Sequence, residues 1–65
     1  MAGWFTELRK ARGFTQKALA DRAGISQPSL ANIESGKTKP RITTARRLAK
    51  VLKIDWKTFY QDANQ

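Results

Sequence analysis

Gln27, Pro28, Ala31 and Asn32 stand at i, i+1, i+4 and i+5, a spacing that gathers four side chains on one face of a helix. Their types suit the edge of a base pair. Gln and Asn each present a donor and an acceptor that match adenine N6 and N7, while Pro28 and Ala31 offer apolar surface to a thymine methyl. A face that meets only water more often carries Lys and Glu, and this one has neither before Glu34. Residues suited to phosphate lie on both sides of it. Gln16 and Ser26 each open an expected helix, where free N–H groups and the helix dipole attract an anion. Lys37, Thr38, Lys39 and Arg41 follow the face in a segment without an apolar anchor, which reads as a loop able to lie along a nucleic-acid backbone.

The elements that must hold these residues are helical. Gly13, Gly24, Gly36 and Pro40 cut the chain into pieces of helix length, and no segment alternates as a strand does. A first helix is expected over about 3–12, with Phe5, Leu8 and Arg12 on neighbouring turns. Thr15 should cap a second helix, 16–23, in which Leu19, Ala20 and Ala23 form the apolar stripe. Ser26 should cap a third over about 27–35, with Pro28 in its first turn and Leu30 and Ile33 facing inward. Between them Gly24 makes the reversal with positive φ, Ala20 is small where the helices cross, and Ile25 fills the gap. Thr43 or Thr44 should begin a fourth helix whose Ala45, Leu48, Ala49 and Leu52 face the core. Its Arg46, Arg47, Lys50 and Lys53, with Lys57 beyond, read as a solvated basic face, with phosphate contact as the alternative. Asp55 should cap a short fifth helix carrying Trp56, Phe59 and Tyr60, and the polar tail 61–65 is expected to fray. The fold class is therefore all-α, a five-helix bundle forming one domain.

Glu34 stands out as a carboxylate beside the core stripe on an otherwise basic side. Unpaired, it would repel phosphate. Arg9 on the first helix is its expected partner, in a salt bridge that locks the first helix to the third. Trp56, Phe59 and Tyr60 together are more apolar surface than a thin core needs, which marks the chain's end as a candidate dimer surface, with Trp4 in a similar position.

Composition narrows the function classes. Thirteen Lys and Arg against five Asp and Glu give a formal charge of +8 on 65 residues, which favours a polyanionic partner. Such a chain buries only about 60% of its unfolded surface, leaving no room for a deep catalytic cleft. It has no Cys and no His. Disulfides are thereby ruled out, and neither a metal site nor a cofactor is expected. Acid–base or nucleophilic chemistry has no evident set of residues. No apolar run approaches the ~18 residues of a membrane span, and no secretory signal is present, so the chain reads as soluble and cytoplasmic.

The chain closely resembles the Cro/phage-repressor (XRE) helix-turn-helix family over about residues 5–60. The residues that carry the likeness are R-x-x-R-G-F-T-Q at 9–16, A-x-x-x-G-I-S at 20–26 and I-E-x-G-K at 33–37. The resemblance implies a lambda-repressor-like bundle, from a prokaryote or phage, that binds a palindromic operator in double-stranded DNA as a homodimer and acts as a repressor. It also implies that Gln16 contacts phosphate, that Gln27, Pro28 and Asn32 face the bases, and that Arg9 pairs with Glu34. Two departures stand out. Pro28 replaces a usually polar residue, removing one hydrogen-bond contact, and Asn32 is shorter than the Gln or Arg often found there. Larger members carry a second domain, so the chain resembles either a stand-alone regulator or a DNA-binding domain from a longer protein. The alternative function is an antitoxin-type module that binds a toxin or another regulator through its aromatic end and autoregulates its own promoter.

Overall fold

The computed structural model describes residues 2–61. Within them the chain forms five helices and no strand: α1 (Ala2–Ala11), α2 (Gln16–Ala23), α3 (Gln27–Ser35), α4 (Ile42–Leu52) and α5 (Thr58–Gln61). None is long and apolar enough to cross a membrane. The expected fraying of the tail concerns residues 62–65, which lie outside the described residues.

Local chemistry accounts for α2 and α3. The Thr15 hydroxyl accepts the Ala18 N–H at 3.1 Å, and the Ser26 hydroxyl accepts the Ser29 N–H at 3.2 Å. Each cap satisfies one of the donors a helix start leaves free. Gly24 ends α2 with φ 74° and ψ 31°, a left-handed conformation that costs an L side chain about 1 kcal/mol or more. Its N–H and that of Ile25 return to the Asp21 and Ala20 carbonyls, so the chain leaves α2 with its last turn satisfied.

Helix α4 begins earlier than the threonines suggest. Arg41 is its N-cap, in extended conformation and with no side-chain cap bond, and Ile42 is its first residue. Its buried neighbour Pro40 explains the early start: the Pro40 carbonyl accepts the Tyr60 hydroxyl at 2.6 Å, pinning the chain just before the helix. The Arg41 carbonyl then accepts the Ala45 N–H at 2.8 Å. Helix α5 begins later than expected. Asp55 does bind a backbone N–H, that of Lys57 at 3.0 Å, but this closes a turn, so Trp56 precedes the helix rather than riding on it.

The core gathers one stripe from each helix. Phe5, Leu19, Leu30, Leu48 and Leu52 are fully buried, with Ala20, Ala23, Ile33, Ala45, Ala49 and Phe59 around them. Helix α2 packs on both α3 and α4, and α1 packs on α3. Ala20 is buried where α2 meets its neighbours, and Ile25 packs half-buried against the core. At one end Trp4, Phe5 and Phe59 form a ring cluster with centroids 5.5–5.8 Å apart, which fastens α5 to α1. Phe59 is only 2% exposed, so it is withdrawn from the expected dimer surface. A chain of this size needs its bulk inside.

Candidate nucleic-acid interface

Helix α3 presents two unlike faces. Leu30, Ile33 and Glu34 are buried, whereas Gln27, Pro28, Ser29 and Asn32 are exposed. Ala31, expected on the outer face, is half-buried, because α1 packs against this side of α3. It lines a shallow recess with Gly3, Thr6, Gln16 and Glu34. Ala31 is therefore less accessible than Gln27, Pro28 and Asn32.

One buried cluster holds α3 at its angle. Arg9 Nε donates to Glu34 Oε2 at 2.8 Å, and Arg9 Nη2 reaches Oε1 at 3.4 Å. Arg9 Nη1 donates to the Phe14 carbonyl at 2.7 Å, so the same guanidinium also fixes the entry to α2. Gln16 Nε2 donates to Glu34 Oε1 at 2.7 Å. Helices α1, α2 and α3 thus meet on one carboxylate. Burial acts to raise the Glu34 pKa. The hydrogen bonds from Arg9 and Gln16, the Arg9 charge and the Thr6 hydroxyl outweigh it, and the carboxyl is held below its ordinary value. It stays ionised and neutralised, and its charge is not presented bare to an approaching polyanion. Among the described residues no buried side-chain polar atom lacks a partner.

Gln16 is half-buried, and this bond is the feature that residue type alone did not reveal. Its amide orients α2 against α3, leaving its carbonyl oxygen and second N–H for other partners. Ser26 is similarly engaged: its hydroxyl caps α3 and donates to Ser29 Oγ at 2.8 Å. The exposed Ser29 hydroxyl is thereby the outward donor of the pair, a role that the Ser26 cap preference concealed.

The α3–α4 loop is tied to α3 through one backbone atom. The Asn32 carbonyl accepts the Lys37 N–H at 2.9 Å, the Thr38 N–H at 3.3 Å and the Ser35 hydroxyl at 3.1 Å. Lys37, Thr38, Lys39 and Arg41 are all exposed beyond it. Ser26, Ser29, Asn32, Thr38, Lys39 and Arg41 share an open groove of about 520 Å³. The structure therefore brings the start of α3, its middle and the basic loop to one surface.

At the far end Trp56 and Tyr60 are half-buried against the core, their rings edge to face at 6.1 Å. The Arg46 guanidinium lies 5.2 Å from the Trp56 ring centroid, which removes part of that ring from solvent. Arg12 Nε donates to the Leu52 carbonyl at 2.9 Å, satisfying an acceptor left open at the end of α4.

Two capped helices joined by a left-handed glycine turn, the second exposing amide side chains beside a basic loop, define a helix-turn-helix DNA-binding domain. The helix-turn-helix family model (HTH_3) matches residues 6–59, and the chain belongs to that family. It is 32% identical over 62 residues to the uncharacterized HTH-type transcriptional regulator YqaF of Bacillus subtilis (strain 168), covering 95% of this chain and 82% of that protein. It is 28% identical to the HTH-type transcriptional regulator PuuR of Escherichia coli (strain K12) over 88% of this chain. A crystal structure of an HTH_3 family transcriptional regulator from Vibrio cholerae superposes with a TM-score of 0.72 at 33% identity, over 88% of this chain. The chain spans about a third of these last two proteins, 31% and 32% of their lengths. These relatives are transcriptional regulators, a class that does not act by catalysis, and the chain carries their DNA-binding unit.

Proposed function

We propose that residues 1–65 act as one sequence-specific reader of double-stranded DNA, a repressor that binds a palindromic operator as a dimer. Helix α3 enters the major groove. Gln27 and Asn32 hydrogen-bond to base edges, Pro28 and the Ala31 methyl edge supply apolar contact, and Gln16, Ser26, Lys37, Thr38, Lys39 and Arg41 hold phosphates. The observation that carries this reading is the exposure of Gln27, Pro28 and Asn32 on a helix whose opposite face is locked by Leu30, Ile33 and the Arg9–Glu34 pair. A rigid helix spares the cost of ordering its backbone on binding, leaving only the rotamers of Gln27 and Asn32 to be fixed.

Two copies related by a two-fold axis would set their α3 helices about 34 Å apart, one turn of B-DNA. With Phe59 in the core, the apolar surface left for that contact is Trp56, Tyr60 and Ile42. Ile42 is 56% exposed and lies two residues from the Pro40 carbonyl that Tyr60 binds.

The test is selection of bound duplexes from a random library, followed by titration of the winning sequence at several salt concentrations. A palindromic consensus with half-sites one helical turn apart, bound far more tightly than scrambled DNA, supports the reading. No consensus, with affinity for every sequence falling alike as salt rises, overturns it. In that case capture of a protein at the Trp56–Tyr60 end, as an antitoxin-type module requires, becomes the next assay.

A further inference from the structure

A second basic surface lies beside the turn, outside the set assigned to DNA. Arg22 near the end of α2, Arg47 and Lys50 on α4, and Lys53 just beyond α4 line one open groove of about 540 Å³, floored by Gly24, Val51 and Ala23. Among the described residues no carboxylate lines it. Among the described residues the ion pairs are Arg9–Glu34 and Lys17–Asp21, so none of the four cations is neutralised by a partner there. Four like charges around one groove repel one another, and that arrangement is relieved by an anion.

Two further features mark the groove. Lys53 ends α4 at φ 61° and ψ 48°, the only non-glycine residue with positive φ among those described. Glycine is the low-energy choice there, as at Gly24 and Gly36, and a lysine in its place costs about 1 kcal/mol. The strained residue adds a charge to this groove. The groove also adjoins the proposed interface. Gly24 lines it, while the next two residues, Ile25 and Ser26, line the groove that holds Ser29 and Asn32. On α4, Thr44 lines the DNA-side groove, and Arg47, one turn further on, lines the basic one.

We infer that this groove is an extension of the DNA-binding surface, in which Arg22, Arg47, Lys50 and Lys53 hold the phosphate backbone of duplex flanking the half-site that α3 reads. The occupant is the same duplex, because this groove meets the DNA-side groove at two places, at the turn where Gly24 is followed by Ile25 and Ser26, and on α4 where Arg47 follows Thr44 by one turn. The contact is to phosphate alone: all four side chains are Lys or Arg, and no amide accompanies them. It adds affinity and salt dependence without adding base preference. This inference rests on the DNA-reading function proposed above.

The experiment compares the full chain with an Arg47→Gln/Lys50→Gln variant and an Arg47→Lys/Lys50→Arg variant on two duplexes. One is the selected operator trimmed to its consensus, and the other carries ten further base pairs on each side. Arg47 and Lys50 are both exposed, and matching melting curves establish that the variants are folded. On the long duplex the charge-removing variant is expected to lower the slope of log affinity against log salt by about two, while the charge-preserving variant keeps it. On the trimmed duplex the wild type and the charge-removing variant should bind alike, with base preference unchanged throughout. An unchanged slope on the long duplex overturns the inference while leaving the reading helix intact. Absence of any consensus for the wild type overturns the function on which it rests. Loss of affinity that persists equally on the trimmed duplex also overturns the flanking contact.

Discussion

The Gln16 side-chain amide donates to Glu34 Oε1 at 2.7 Å, binding the first residue of α2 to a carboxylate near the end of α3. Arg9 holds the same carboxylate from α1 at 2.8 Å. The angle between the two helices is therefore set by a polar clasp as well as by Leu19, Leu30 and Ile33. Removing Glu34 strips partners from two helices at once. Glu34→Ala is expected to leave the buried Arg9 guanidinium uncompensated, at a cost of about 3 kcal/mol. For a domain of this size that lowers Tm by more than about 10 °C, read by circular dichroism. A melting curve superimposable on wild type would show the clasp to be incidental.

The clasp also makes stability depend on pH. Because the folded Glu34 pKa lies below its ordinary value, the folded state binds a proton there less readily than the unfolded chain does. Its stabilisation is fully present above the unfolded glutamate pKa of about 4.3 and is lost as pH falls through the lowered folded value. Urea unfolding at pH 7 and near pH 3 should show the difference between wild type and Glu34→Gln shrinking in acid. A difference that stays constant would assign the stability to packing alone.

The proposed function makes base reading and phosphate holding separable. Gln27→Ala should relax preference at one operator position by about 1–3 kcal/mol and leave the salt slope unchanged. Lys37→Ala should weaken operator and scrambled duplex alike and reduce the slope by about one. Titrations of both variants on matched and substituted duplexes read the contrast directly, and reversed behaviour would exchange the roles of helix and loop.

The aromatic end gives a graded pair. Phe59 is buried against Trp4 and Phe5, and Phe59→Ala should cost about 3–5 kcal/mol. Tyr60→Phe keeps the ring and deletes the bond to the Pro40 carbonyl, at a cost of about 1 kcal/mol. Equal losses in denaturant titrations would contradict the placement of Phe59 in the core.

Ala20 is buried to 1% where α2 meets its neighbours. Ala20→Leu should overpack the crossing and destabilise by about 1–3 kcal/mol, visible as a lower urea midpoint. A native midpoint would mean the helices separate more readily than their packing suggests.

What could be read from residue order alone was what hydrogen bonds within a few residues control. Thr15 and Ser26 cap the helices they precede, Gly24 turns left-handed, and the 3.6-residue period of Leu30 and Ile33 leaves Gln27, Pro28 and Asn32 outside. The Arg9–Glu34 pairing was also legible, because an isolated carboxylate on a basic side demands a cation. The start of α4 was not. Thr43 and Thr44 look like caps, but the helix begins at Ile42, where Tyr60 from twenty residues away pins Pro40.

The sequence by itself determined the capped helix pair, its turn and the residues α3 turns outward, since each depends on residue type and on neighbours within one or two helical turns. Only the tertiary structure decided that Phe59 fills the core, that Ala31 is shaded by α1, that Gln16 shares the Glu34 carboxylate and that Arg12 closes the end of α4. Those contacts join residues 18 to 55 positions apart or choose among similar aromatic side chains. Their outcome depends on where whole helices come to rest once the apolar stripes have been buried together, and no local pattern encodes that distance.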